Sequence, residues 1–207
     1  MIAVVDYGAG NLRSVEKALQ AVGADAHLTG DPEAVRQAER VVLPGVGAFG
    51  DAMQRLRTAG LAEAILDAIR AGKPFLGICL GLQLLFEGSE ESPGVSGLAV
   101  LAGVVRRFPE DLKVPHLGWN AVAFDRSEAV FAGIPPGAYF YFAHSFYADP
   151  QDDNVTVGRT EYGMKFASAI RHKNVWAVQF HPEKSQKWGL QLLRNFAASR
   201  SLTVNPS

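Results

Sequence analysis

Short, mostly apolar runs that alternate with amphipathic stretches are the feature that most constrains what this chain can become. Ile2-Ala3-Val4-Val5, Ala26-His27-Leu28, Val41-Val42-Leu43 and Pro74-Phe75-Leu76-Gly77-Ile78 are too short for helices and too apolar for one-sided surface strands, so they read as buried strands. Helical patterns separate them. Val15, Ala18, Leu19 and Val22 share a face ahead of a terminating Gly23, and Asp31-Pro32 offers an N-cap and first-turn proline for a helix through Ala38. Further helical stretches fall near Asp51 to Arg57, Leu61 to Arg70 and Leu80 to Phe86. Strands joined by single helices imply a parallel sheet with right-handed crossovers.

After about Gly97 the pattern changes. Val100 to Phe108, Trp119 to Phe124, Tyr139 to Tyr147, Val155 to Arg159, Phe166 to Arg171 and Val175 to Phe180 all read as strands, the last two as a hairpin around His172-Lys173-Asn174. A final amphipathic helix from about Trp188 to Ala198 turns Leu192, Leu193 and Phe196 inward. The expected fold class is α/β: three layers, a mostly parallel central sheet flanked by helices, and additional antiparallel strands in the C-terminal half. Residues 1-200 are expected to form a single domain and residues 201-207 a fraying tail.

Composition narrows the function. With 207 residues, 48% of them hydrophobic and a formal net charge of -1, the chain can bury a proper core but carries no field that would draw nucleic acid or an anionic membrane. No apolar run approaches the roughly 20 residues of a membrane span, and the start lacks the pattern of a signal peptide, so a cytoplasmic location is expected. A single cysteine, Cys79, excludes an internal disulfide framework and suits a reducing compartment. There is no C-x-x-C, H-x-x-x-H or H-x-H pattern, and His27, His116, His144 and His172 are scattered, so neither a metal nor a cofactor is expected. Gly8-Ala9-Gly10-Asn11-Leu12-Arg13 has Arg13 where a dinucleotide fingerprint needs its third glycine, and no phosphate loop of the G-x-x-x-x-G-K-[ST] type exists.

Gly77-Ile78-Cys79-Leu80-Gly81 lies between a strand and a helix, the setting of a sharp nucleophile elbow. Flanking glycines admit strained backbone and close approach, raising the sulfur at the carboxyl end of the sheet, where a following helix would favour a thiolate and the Leu80 amide could face an oxyanion. The alternative is a small buried hydrophobe. His181 stands near a strand end ahead of Pro182; if the chain stays extended there, Glu183 projects to the same side and orients the imidazole as a base. The alternative is a strand cap. Pro44-Gly45-Val46-Gly47-Ala48-Phe49-Gly50 follows another strand and offers the Val46 or Gly47 amide as a second oxyanion donor, although a plain turn would look the same.

Together, Pro44-Gly45-Val46-Gly47, Gly77-Ile78-Cys79-Leu80-Gly81-Leu82-Gln83 and His181-Pro182-Glu183 resemble the class I glutamine amidotransferases over nearly the whole chain. Asp6-Tyr7-Gly8-Ala9-Gly10-Asn11, Pro115-His116-Leu117-Gly118-Trp119-Asn120 and His181-Pro182-Glu183-Lys184-Ser185 are more narrowly similar to the glutaminases that serve imidazole glycerol phosphate synthases. The resemblance implies that Cys79 attacks the side-chain amide of L-glutamine with His181 and Glu183 completing the triad. It further implies an oxyanion hole at Val46 and Leu80, and substrate contacts at Gly47, Gln83, His144, Ser145 and Phe146. Phe146 replaces a tyrosine often found there and offers no hydroxyl. The same resemblance implies a heterodimer with a (β/α)8 cyclase in histidine biosynthesis, with Asn11, Trp119 and Lys184 near the interface. Competing readings are a glutaminase for another synthase, an inactive regulatory protein, and an elbow-cysteine hydrolase with an unrelated substrate.

Overall fold

The computed structural model describes residues 1–8, 10, 12–124 and 128–199. Four strands run parallel in the first half: β1 (Ile2–Val5), β2 (Ala26–Thr29), β3 (Arg40–Gly45) and β4 (Phe75–Cys79). Between them lie α1 (Leu12–Ala21), α2 (Pro32–Gln37), α3 (Phe49–Thr58) and α4 (Leu61–Arg70). The local signals act as expected: Asp31 caps α2 by accepting from the Glu33 N–H, and Gly23 takes a φ of 86° just past α1.

Beyond β4 come α5 (Leu80–Gln83), β5 (Phe86–Ser89), β6 (Leu101–Arg107), β7 (His116–Phe124), β8 (Ala138–His144) and β9 (Phe146–Pro150). The chain closes with β10 (Thr156–Glu161), β11 (Lys165–His172), β12 (Val175–Val178) and α6 (Gln186–Ala198). The sheet path is β2-β1-β3-β4-β12-β11-β10-β7-β8, with β5, β6 and β9 branching from it. β12 lies parallel to β4, so the antiparallel second half is sewn onto the parallel first half beside the cysteine strand.

Alternation along the central strands fills two cores. Ala3, Val5, Val41, Leu43, Phe75 and Ala177 pack on one face with Val35, Met53, Leu56 and Ile65 of α2, α3 and α4. Ile2, Val4, Val42, Leu76, Ile78 and Val178 pack on the other with α1 and α6, including the expected Leu192, Leu193 and Phe196. This is the expected sheet flanked by helices on both faces.

Two elements differ from expectation. The helix expected from Leu80 to Phe86 ends at Gln83, because the Leu84 and Leu85 carbonyls accept from Leu98, Val100 and Leu101 and Phe86 enters β5. The strand expected from Tyr139 to Tyr147 breaks at Ser145, since β8 pairs with β7 while β9 crosses to β6 and β11. Residues 201–207, expected as a tail, lie outside the described residues.

Candidate active site

Parallel register brings the carboxyl ends of three strands together: Gly45 lies opposite Cys79, and Val178 opposite Ile78. That edge is where open α/β sheets hold their ligands. Cys79 adopts φ 54° and ψ −109°, a conformation an L-residue rarely takes. The flanking glycines allow it. A Cβ at Gly81 would overlap the Leu43 carbonyl oxygen, and one at Gly77 would lie 2.8 Å from the Gly81 carbonyl oxygen. The expected elbow is therefore formed, although α5 beyond it is a single turn and contributes little dipole.

His181 reaches Glu183 by a different route from the extended chain expected. Pro182–Lys184 forms a 3-10 turn, which brings Glu183 Oε1 to 2.8 Å from His181 Nδ1. Ser185 fixes the turn to β8: its hydroxyl accepts from the Tyr141 N–H at 3.0 Å and donates to the His181 carbonyl at 2.6 Å. Glu183 occupies Nδ1, which leaves Nε2 for Cys79. Burial alone would depress the imidazole, but hydrogen bonding and charge from Cys79 and Glu183 outweigh it and push His181 up to about 10. The ring is thus suited to hold a proton taken from a neighbour and to return it.

Cys79 and His181 open onto a cavity of about 270 Å³ that is also lined by Val46, Gly47, Leu80, Gln83, Glu91, Pro115, Ala143, His144, Ser145, Phe146 and Lys184. The size is near the lower end of the roughly 300–1,000 Å³ typical of small-molecule sites. Every oxyanion and substrate residue expected from the sequence lies on this wall. Gly45 is required beneath it, because a Cβ there would lie 2.7 Å from Tyr7 Oη. The Tyr7 hydroxyl donates to the Pro44 carbonyl at 3.2 Å, and burial keeps it protonated by raising it above its ordinary value.

Of the expected interface residues, Trp119 is exposed, Lys184 lines the cavity with its Nζ 5.6 Å from the Tyr141 ring centroid, and Asn11 lies outside the described residues. Other contacts of the site join residues far apart in sequence. Glu91 lines the cavity while accepting from the Phe49 N–H at 2.7 Å. His116 and His144, far apart in sequence, sit opposite each other on β7 and β8, with Nδ1 of the first 2.9 Å from Nε2 of the second. Burial holds these rings down to about 4 and about 3 respectively, so both are neutral. Gln179, fully buried, places its Nε2 3.7 Å from Cys79 Sγ.

Fold and cavity together define the class, that of glutamine amidotransferases. The family described as Glutamine amidotransferase class-I matches residues 3–199. A solved structure described as a glutamine amidotransferase superposes with a TM-score of 0.76 at 19% identity, covering 96% of this chain and 100% of that one. The structure of PurLQS from Thermotoga maritima gives a TM-score of 0.75 at 20% identity, covering 94% of this chain and 96% of that one. At such identities the likeness concerns the fold alone. Among curated proteins, the imidazole glycerol phosphate synthase subunit HisH of Thermococcus kodakarensis is 57% identical over 201 residues, 95% of this chain and 98% of that one. The protein of the same name from Moorella thermoacetica is 53% identical over 195 residues, 94% and 93%. The chain belongs to the class-I glutamine amidotransferase family and, within it, to the group of imidazole glycerol phosphate synthase subunits HisH.

Proposed function

We propose that this chain hydrolyses L-glutamine to glutamate and ammonia with Cys79, His181 and Glu183, and hands the ammonia to a cyclase subunit with a (β/α)8 barrel. The observation that carries the reading is the meeting of an elbow thiol, an imidazole bonded to a carboxylate at 2.8 Å, and a small cavity at one sheet edge. With the Cys79 proton held on His181 Nε2, the sulfur forms a bond to the carboxamide carbon. The Val46 and Leu80 amides hold the oxyanion, while Gly47, Gln83, His144, Ser145 and the Phe146 backbone shape the pocket around the substrate. His181 protonates the departing nitrogen as the C–N bond breaks, leaving a γ-glutamyl thioester and ammonia. It then takes a proton from water, whose oxygen attacks the thioester carbon; glutamate leaves and the thiol is restored.

The partner supplies the second half-reaction, consuming ammonia in the formation of imidazole glycerol phosphate during histidine biosynthesis. The similarity to subunits of that synthase supports this. So does an apolar face on the β7–β8 ribbon, where Leu117, Trp119 and Tyr139 are 64%, 46% and 58% exposed. Trp119 and Lys184 belong to the docking side in this reading. Residues 1-200 work as one domain, since positions 46 to 184 build a single cavity. A cytoplasmic setting fits a lone thiol, and among the described residues no helix is long and apolar enough to cross a membrane.

The test is ammonia release from glutamine by the chain alone and with the cyclase and its nucleotide substrate. Release rises in the mixture and Cys79→Ala abolishes it, while ammonium salts still support synthesis by the complex. Retained release in Cys79→Ala defeats the mechanism, and failed rescue with folded protein defeats the division of labour.

A further inference from the structure

Gln179 belongs to none of the roles assigned above, yet it is fully buried on the site side of the strand leading to His181. Its orientation follows from a fixed point. The Phe146 carbonyl can only accept, and the groups that reach it are His144 Nδ1 at 2.7 Å and the Gln83 amide nitrogen at 3.0 Å. The Gln83 end facing that carbonyl must therefore be its NH2, which also reaches a Gln179 carboxamide atom at 3.1 Å. That atom must accept, so it is Oε1, and the Nε2 of Gln179 is left directed at Cys79 Sγ, 3.7 Å away. The same carbonyl fixes His144: its Nδ1 must donate there, so its Nε2 accepts from His116 Nδ1 at 2.9 Å. Reversing the Gln179 amide would set two donors against each other at Gln83 and leave the sulfur facing a carbonyl oxygen.

We infer that Gln179 is a positioning residue for the nucleophile: one end donates an N–H to the Cys79 sulfur, and the other holds the Gln83 amide on the cavity wall. A donor facing the sulfur favours its anionic, attacking form over the thiol. Both N–H groups of Gln83 are then committed, and the group it offers a ligand is its Oε1, an acceptor suited to an ammonium or amide N–H. The inference rests on Cys79 being the nucleophile.

Cys79 is the only cysteine in the sequence, so iodoacetamide labelling of the full chain reports on this thiol alone. Labelling rates are measured from pH 5 to pH 10 for the wild type, Gln179→Met, which keeps the bulk without donors, and Gln179→Glu, which keeps the shape but sets a carboxyl group beside the sulfur. Gln179→Met labels about tenfold more slowly at pH 7, the size of a hydrogen bond to a charged group, and its profile moves to higher pH. Gln179→Glu labels more slowly again. A role confined to packing would leave folded Gln179→Met on the wild-type profile, and superimposed profiles for that variant overturn the inference. If that variant does not fold, Gln179→Glu decides alone, wild-type labelling at pH 7 overturning it. Failure of the wider mechanism shows separately, as ammonia release retained by Cys79→Ala.

Discussion

The His181–Glu183 contact is the residue-scale feature with the clearest consequence for pH. Both side chains are buried and 2.8 Å apart, and His181 is raised from 6.5 to about 10. A raised imidazole stabilises the folded state fully below its unfolded value near 6.5, and the contribution is lost as pH climbs through about 10. Glu183→Gln removes part of that support. The variant is therefore expected to be less stable than wild type at pH 6 to 7, with the gap narrowing by pH 10.5, as urea unfolding at pH 6, 8 and 10.5 would record. Its turnover should fall by tenfold or more while the fold, followed by circular dichroism, is retained. Tyr7 provides a second test. Its hydroxyl is the partner of the Pro44 carbonyl beneath the Val46 loop, so Tyr7→Phe should cost about 1 kcal/mol of stability and lower turnover of bound glutamine more than its affinity. His181 and Glu183 were legible together because they stand two positions apart. Gln179 and His116 were not, because their partners lie 96 and 28 positions away.

At the scale of elements, short turns rather than long helices hold the site. The elbow opens a four-residue helix, and the 3-10 turn Pro182–Lys184 carries Glu183 back to its histidine. That turn lies hard against α6: a Cβ on Gly189 would overlap the Pro182 carbonyl oxygen. Gly189→Ala should push the helix off the turn, loosen the His181–Glu183 pair, and lower both melting temperature and kcat; unchanged kcat in the folded variant would show that the turn adjusts without the histidine. The helix predicted beyond Gln83 failed for a related reason. Leucine-rich residues 80–86 suit a helix locally, but the chain returning at residues 98–101 takes the Leu84 and Leu85 carbonyls.

For the whole molecule, the antiparallel ribbon of β7 and β8 links cavity and surface. Leu117 and Trp119 share one face of it with Tyr141 and Tyr139 through cross-strand register, while the buried His116 and His144 lie on the other. A partner seated on the outer face would therefore press on β8, whose Ala143 and His144 line the pocket. Replacing Leu117 and Trp119 together by serine should weaken assembly with the cyclase at least tenfold in titration calorimetry, with little change in melting temperature because both side chains are exposed.

Alternation of buried strands and amphipathic helices, a glycine-flanked cysteine and a histidine two residues from a carboxylate were readable from the chain itself, because each depends on spacings of a few residues. Strand order, the closing of α5 after one turn, the break at Ser145 and the amide line from Phe146 through Gln83 and Gln179 to the sulfur were decided only in three dimensions. Those features depend on which distant backbone groups compete for the same hydrogen bonds, and local propensity carries no record of that competition.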